Sequence, residues 1–321
     1  MSYYNLISKE QNFILDTKIL YINSDDRNTE KYPDSNCFEI NMPQTYKTVE
    51  SIRLLNIQFP SNLYNISEEL QNNKLRLTKD SDKIIITISD GYYTIDTLKN
   101  ELKNKINDIT TISSFDINYN ETTNKFKFSS DVGCSLSFHD ISYSSCNLHF
   151  KNIYEQHSKW GLGYILGFNK YEKKNDNKFD YSSPRNVNIN SEEVFSDNFV
   201  DIDNNRHIVM SIDKYNKSDS ILPYINYTNN NSNVGLVNSI FVKIPIIKNQ
   251  DNQNFHNFES NYSNMSFFQP PINTIDKLKF EFKYENGIPV DFKNYNISFT
   301  LEFNQISNQI KQYTVRKPFV N

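Results

Sequence analysis

Alanine, the strongest helix former, is missing altogether from this chain, and glycine is held to 7 residues of 321. In their place stand 21 Tyr, 23 Phe and abundant Ile and Thr, which fit the pleated surface of a strand better than a helix. Asparagine takes roughly one position in seven, far above the usual globular share. Ala and Gly have GC-rich codons, whereas Asn, Lys, Ile, Tyr and Phe have AT-rich ones. The bias therefore reports an AT-rich genome before it reports a function. It does not amount to a prion-like tract, because apolar alternation persists through most of the chain and aromatics reach 14%. The same surfeit of Asn, Ser and Thr yields Asn-x-Ser/Thr triplets at Asn65, Asn120 and Asn296 by chance.

Other absences exclude whole classes. Three cysteines at irregular spacing make no disulfide framework. No basic-then-apolar leader opens the chain, and no run of ~18 apolar residues spans a bilayer. The expectation is a soluble protein made in a reducing compartment. The net charge of −4 carries no long acidic or basic block, so no field for nucleic acid is present. Lys311, Arg316 and Lys317 make the C-terminal tail locally basic, as a solvated tail often is.

What is present is a pair of β patterns near the two ends. In the C-terminal one, Leu278, Phe280, Phe282 and Tyr284 alternate with Lys279, Glu281 and Lys283, the period-2 signature of a half-buried strand. Asn286-Gly287 supplies a turn, and Ile297, Phe299, Leu301 and Phe303 resume the alternation. In the N-terminal one, Phe38, Ile40 and Met42 lead to Pro43, and residues 52–59 alternate up to Pro60. Prolines there place strand ends at sheet margins. The two patterns read as halves of one discontinuous antiparallel sandwich.

The middle differs. Residues 83–88 form an apolar strand, and Thr94 caps a helix that repeats Ile95, Leu98, Leu102 and Ile106 on one face. Phe115, Ile117 and Tyr119, then Phe126 and Phe128, make a hairpin, so strand, helix and hairpin form a small α+β layer. Residues 171–190 and 249–264 read as polar loops, and Ile208–Ile212 and Ile240–Ile247 as strands.

No reaction emerges. Gly161, Gly163 and Gly167 lack the strand, helix and acidic residue of a dinucleotide site, and read as a tight turn over Trp160, Ile165, Leu166 and Phe168. Cys134, His139, Cys146 and His149 lack the tight pair spacing of structural zinc and read as buried thiols and surface histidines. Asp25, Asp26, Arg27 and Asp34 lack calcium-loop spacing and read as Asp–Arg pairing in a turn. No Gly-x-Ser-x-Gly elbow is present. The chain is read as no enzyme, with no cofactor and no metal.

Several of these strand-and-turn segments resemble the minor capsid and other virion structural proteins of giant nucleocytoplasmic DNA viruses, the mimivirus-like group especially. The resemblance rests on Ile22–Arg27, Tyr32–Phe38, Pro43, Val49–Leu54 and Pro60–Ile66 near the N-terminus. In the middle it rests on Asp90–Thr94 and Leu166–Phe168, and near the C-terminus on Gln269–Asn273, Leu278–Phe282, Asn286-Gly287 and Ser298–Glu302. None of these motifs is catalytic.

The resemblance implies a mainly β, jelly-roll-like sandwich with a capsid-associated role. Residues 15–68 plus 190–305 would form the sandwich and 70–185 an inserted α+β lobe, with 1–14 an arm and 306–321 a tail. The expected partners are the major capsid protein, other minor capsid proteins and copies of the chain itself. The expected location is the virion, assembled in the host cytoplasm. Expected contacts are Asp25, Asp26, Arg27 and Tyr32 in the turn, Phe255, Phe258, Tyr262 and Phe267, and Arg316, Lys317 and Phe319 in the tail. The alternative is a virion surface module for a host receptor or glycan.

Overall fold

A computed structural model describes residues 14–109, 112, 114–143, 154, 159–173, 179–203, 205–221, 237–246, 255–259 and 265–307. The chain is mainly β. Its largest sheet is antiparallel, with strand order β1 (Ile14–Asn23), β18 (Ser298–Ser307), β2 (Cys37–Pro60), β17 (Met265–Tyr284), β12 (His207–Ile212) and β15 (Val242–Pro245). A seventh strand, β16 (Phe255–Glu259), pairs with the end of β2. Segments from both ends of the sequence thus share one hydrogen-bonded ladder.

The 24-residue β2 is the hub. β17 lies against its first part and on as far as Arg53, over Cys37–Arg53, and β18 lies against its second part, Val49–Gln58. Thr48 sits at φ +53°, a left-handed backbone position rare for a β-branched residue, and the strand bends there. The bend lets the two parts face each other. Phe299, registered with Ile57 in the second part, reaches Phe280 at 4.9 Å and Phe38 at 6.4 Å in the first. Tyr46 meets Phe303 at 4.8 Å in the same way. One curled sheet therefore makes both walls of a sandwich, and the apolar alternation on each wall fills the space between them.

Pro60 ends β2 as expected of a proline at a strand margin, but other prolines lie inside strands. Pro43 lies inside β2, in a stretch where the register with β17 slips between Asn41 and Tyr46. Pro270 and Pro271 lie inside β17 at its other slip, between Phe267 and Ile272. Proline has no N–H to donate, so it falls where the ladder already lapses. The Asn286-Gly287 turn is present, with Gly287 at φ +87°, yet it does not join β17 to β18 as a hairpin. It folds residues 288–290 back on 282–284, through Tyr284 N–H to the Ile288 carbonyl at 2.8 Å and Val290 N–H to the Phe282 carbonyl at 3.0 Å. The chain then crosses to the other wall.

A second apolar core lies beside the first. Two small sheets bound it: β10 (Asn186–Ile189), β7 (Cys134–Ser137), β3 (Lys74–Lys79) and β4 (Asp82–Thr87) in one, and β11 (Val194–Phe195), β6 (Lys125–Ser130) and β5 (Phe115–Asn120) in the other. Helix α1 (Ile95–Ile109) presents Leu98, Leu102 and Ile106, all buried, as its spacing predicts. Thr94 caps it, its hydroxyl accepting from Thr97 N–H at 3.3 Å. Residues 171–190 depart from the loop reading. They hold β8 (Tyr171–Lys173), β9 (Phe179–Pro184) and β10, because Val187 and Ile189 alternate inward among asparagines. Residues 249–264 likewise contain β16. The segment read as one strand over 240–247 divides into β14 (Val237–Ile240), which pairs with β13 (Ser218–Ile221), and β15. Between them Phe241 N–H turns to the Met210 carbonyl at 2.9 Å. No helix among the described residues is long and apolar enough to cross a membrane.

Two expected outcomes follow from this packing. Phe299→Ala leaves a void between the walls and costs about 3–5 kcal/mol, read as a lower urea midpoint. Acid acts through the histidines. Burial first, then the Lys243 ammonium, holds His207 below its ordinary value despite Glu285, and burial does the same to His139. Their contribution is complete above the unfolded-state value of about 6.5 and is lost as pH falls through it toward the lower folded-state values. Urea midpoints should therefore drop between about pH 7 and 5.5, and the drop should shrink in a His139→Gln/His207→Gln variant.

Candidate docking face

The wall made by β1, β18 and the second part of β2 has two faces. Inward, Ile22, Phe299 and Ile57 share one row, and Leu20, Leu301 and Leu54 the next. Outward, Thr17, Asn304, Ser51 and Phe267 form a row, followed by Ile19, Glu302, Arg53 and Met265, then Tyr21, Thr300 and Asn56. The middle of this outer face is polar and cross-linked. Asn304 Nδ2 donates to Ser51 Oγ at 3.0 Å and its Oδ1 accepts from Thr17 at 2.8 Å. Arg53 donates to Glu302 at 2.6 Å, and Thr300 to Asn56 at 3.0 Å. Ser51, Thr300 and Asn304 are 1%, 5% and 9% exposed, so the bonds satisfy polar groups that are buried in this middle.

Large apolar groups flank it. Tyr21 is 78% exposed, Leu15 and Ile19 50% each, and Phe267, across the polar rows, 57%. Leu15, Ile19 and Tyr21 all point outward from β1, which pairs with β18 alone among the described residues. The other edge of this ten-residue strand carries backbone N–H and C=O groups free of any ladder there. An edge of that kind takes up a further strand, with main-chain hydrogen bonds giving affinity and the alternate side chains giving selectivity.

At the end of β1 the chain enters a single 3-10 turn, Ser24–Asp26. Asp25 and Asp26 are exposed there. Arg27 is turned to the chain itself. Its Nε donates to the Tyr32 carbonyl at 3.0 Å, and its two terminal nitrogens reach the Ser24, Pro33 and Asn296 oxygens at 2.7, 2.9 and 3.2 Å. Around it Ser24 N–H donates to the Ile297 carbonyl at 2.8 Å, and Ile297 N–H returns to Ser24 Oγ at 2.9 Å. Ser35 Oγ binds the Tyr295 carbonyl and Asn36 Nδ2 the Val290 carbonyl, both at 2.9 Å. The Ser-x-Asp-Arg and Tyr-Pro-x-x-Asn segments thus clamp the N-terminal turn to residues 290–297. The clamp joins Arg27 to backbone carbonyls where the sequence reading had Asp–Arg pairing.

The remaining expected contacts scatter. Tyr32 is half-buried against the large core, with the Lys31 ammonium 5.0 Å over its ring. Phe255 and Phe258 belong to β16 at the far edge of β2. Phe267 lies on the outer face. Tyr262, Arg316, Lys317 and Phe319 lie outside the described residues, as do Cys146 and His149. Cys134 is buried, and desolvation pushes its thiol up. The apolar edge of β1 was overlooked in sequence; its signal is Leu15, Ile19 and Tyr21 at the second, sixth and eighth positions of ILDTKILYIN.

No family model matches the chain, and no curated protein matches it in sequence. Among solved structures, the crystal structure of the mavirus penton protein is similar over 92% of this chain and 100% of that one, with a TM-score of 0.45 and 11% identity. A chain of the Sputnik virophage, seen by cryo-electron microscopy, is similar over 90% and 98%, with a TM-score of 0.40 and 10% identity. Likenesses this remote carry no functional assignment.

Arg27→Ala should cost about 2–4 kcal/mol, since a guanidinium serving several carbonyls is lost at once. Arg27→Lys should recover little, because one ammonium cannot span acceptors on different sides. Urea denaturation of the two variants checks both.

Proposed function

We propose that this chain is a non-enzymatic virion structural protein, a minor capsid protein that docks on major capsid subunits and stabilises the shell. The observation that carries the reading is β1: a ten-residue edge strand with an unladdered side among the described residues and three exposed apolar side chains on one face. A monomer that kept such an edge in water would be prone to uncontrolled pairing. An assembly protein has use for it. The virion-protein motifs support the same reading, because Ser24, Arg27 and Asn36 hold the turn that ends β1 against the opposite end of the chain.

In this reading residues 15–68 and 190–305 form the docking sandwich and 70–185 an inserted lobe. The shell partners are the major capsid protein, other minor capsid proteins and further copies of this chain. The protein works in the virion, assembled in the host cytoplasm. Docking proceeds by strand addition to β1 while Leu15, Ile19, Tyr21 and Phe267 are covered.

The test is co-sedimentation of the chain with purified capsids, followed by cross-linking from a photoreactive group at position 17. Stoichiometric recovery and cross-links to capsid subunits are expected. An Ile19→Glu/Tyr21→Glu variant should bind at least about tenfold more weakly, a loss of roughly 1.4 kcal/mol or more, with its thermal midpoint unchanged. Unaltered co-sedimentation of that variant would remove β1 from the docking surface.

A further inference from the structure

The glycine-rich turn, which the docking face leaves unused, builds a cavity. Gly161 opens one helical turn, Leu162–Ile165, and Gly167 closes it at φ +84°. A side-chain carbon at Gly167 would collide with the Asn198 carbonyl, so its absence lets residues 196–201 lie directly on the turn. The two segments are then fastened by backbone bonds. Asn198 N–H donates to the Gly167 carbonyl at 2.8 Å, Val200 N–H to Asn124 at 2.9 Å and Asp201 N–H to Ile165 at 3.1 Å. Asn198 Nδ2 adds a bond to Asn169 Oδ1 at 2.9 Å.

Between these segments lies a cavity of about 430 Å³. That size falls among sites for small ligands, roughly 300–1,000 Å³. Its wall is charged against the trend of the chain. Among the described residues, Lys159, Lys170, Lys173 and Arg206 line it beside a single acid, Asp201, in a protein of net charge −4. The Lys170 ammonium is committed to the Tyr154 carbonyl and lies 3.6 Å over the Tyr154 ring. Arg206 spends one nitrogen on Asp201, at 3.1 Å. Lys159 is exposed and has no partner among the described residues.

Phe199 supplies the other half of the chemistry. Its ring is 68% exposed on the cavity wall, yet the residues on either side of it are pinned by the backbone bonds above. A large aromatic carried on a fastened backbone and open to water offers its face to a ligand. Its negative π face suits the C–H face of a sugar ring, and the cations suit a carboxylate through charge-assisted hydrogen bonds.

We propose that the cavity beneath the glycine-rich turn binds an acidic sugar, with the pyranose ring on Phe199 and its carboxylate on the wall formed by Lys159 and Arg206. A hollow of about 430 Å³ suits a compact ligand better than an extended acidic peptide. A bare inorganic anion would make no use of the aromatic.

The test titrates the full chain with sialyllactose, using lactose and sodium sulfate as comparisons, by calorimetry and ligand-observed NMR. Sialyllactose should bind while lactose does not, and sulfate should compete poorly. Phe199→Ala and Lys159→Glu should each weaken binding by at least about tenfold. Both side chains are exposed, so the thermal midpoints should stay at the wild-type value, and circular dichroism confirms that each variant is folded. Absence of sialyllactose binding up to about 10 mM would overturn the proposal. So would equal binding of lactose, equal competition by sulfate, or wild-type affinity in both folded variants.

Discussion

The ladder of β2 is the constraint on which the large sandwich depends. Had β2 been two strands joined by a loop, each wall would have needed its own registration. Because one 24-residue strand serves both, the pairing of β17 fixes the position of β18, and the bend at Thr48 sets where the walls meet. Side-chain direction in a strand has a period of two, so a slip of one residue would turn every apolar group on a wall outward. The slips that do occur come in places that preserve the inward set. Ile52, Leu54 and Ile57 stay buried although a bulge falls between the last two.

The clamp around Arg27 secures the other end of that arrangement. It ties the turn after β1 to residues 290–297, which enter β18, so the edge strand and its neighbour are held at one end by side chains and along their length by the ladder. Among the described residues, what remains uncommitted on this wall is the outer edge of β1 and the apolar groups beside it. A polar centre whose buried groups bond one another, flanked by the exposed Tyr21 and Phe267, loses little freedom when covered. The cavity under the glycine-rich turn relies on the same economy, since Phe199 is positioned by backbone bonds made whether or not a ligand is present.

Much of this was legible in one dimension. Helix α1 and the hairpin of β5 and β6 follow from spacing, and the meeting of the two ends follows from matched alternation around Phe38 and Phe280, whose rings lie 5.4 Å apart. Less was legible wherever pairing, and not local pattern, makes the strand. β10 and β16 lie in polar sequence, and they are strands because β7 and β2 offer free ladder positions beside them. Arg27 misled for a related reason. Its neighbours in sequence are acids, but its hydrogen bonds go to the carbonyls of Ser24, Tyr32 and Pro33 and to the side-chain oxygen of Asn296, 269 residues further on. The exposed apolar edge of β1 was overlooked because alternation says which side chains share a face and is silent on whether that face is covered.

By itself the sequence determined the β character, the helix and its buried stripe, and the apolar sets that must turn inward, because these depend on intrinsic preference and on periods of two and 3.6 residues. The tertiary structure decided which strands are neighbours, where prolines are tolerated, which edge of the sheet is left open among the described residues and that Lys159, Lys170, Lys173 and Arg206 gather around one hollow. Those outcomes hinge on groups far apart in the chain arriving at one place, and no local period encodes such an arrival.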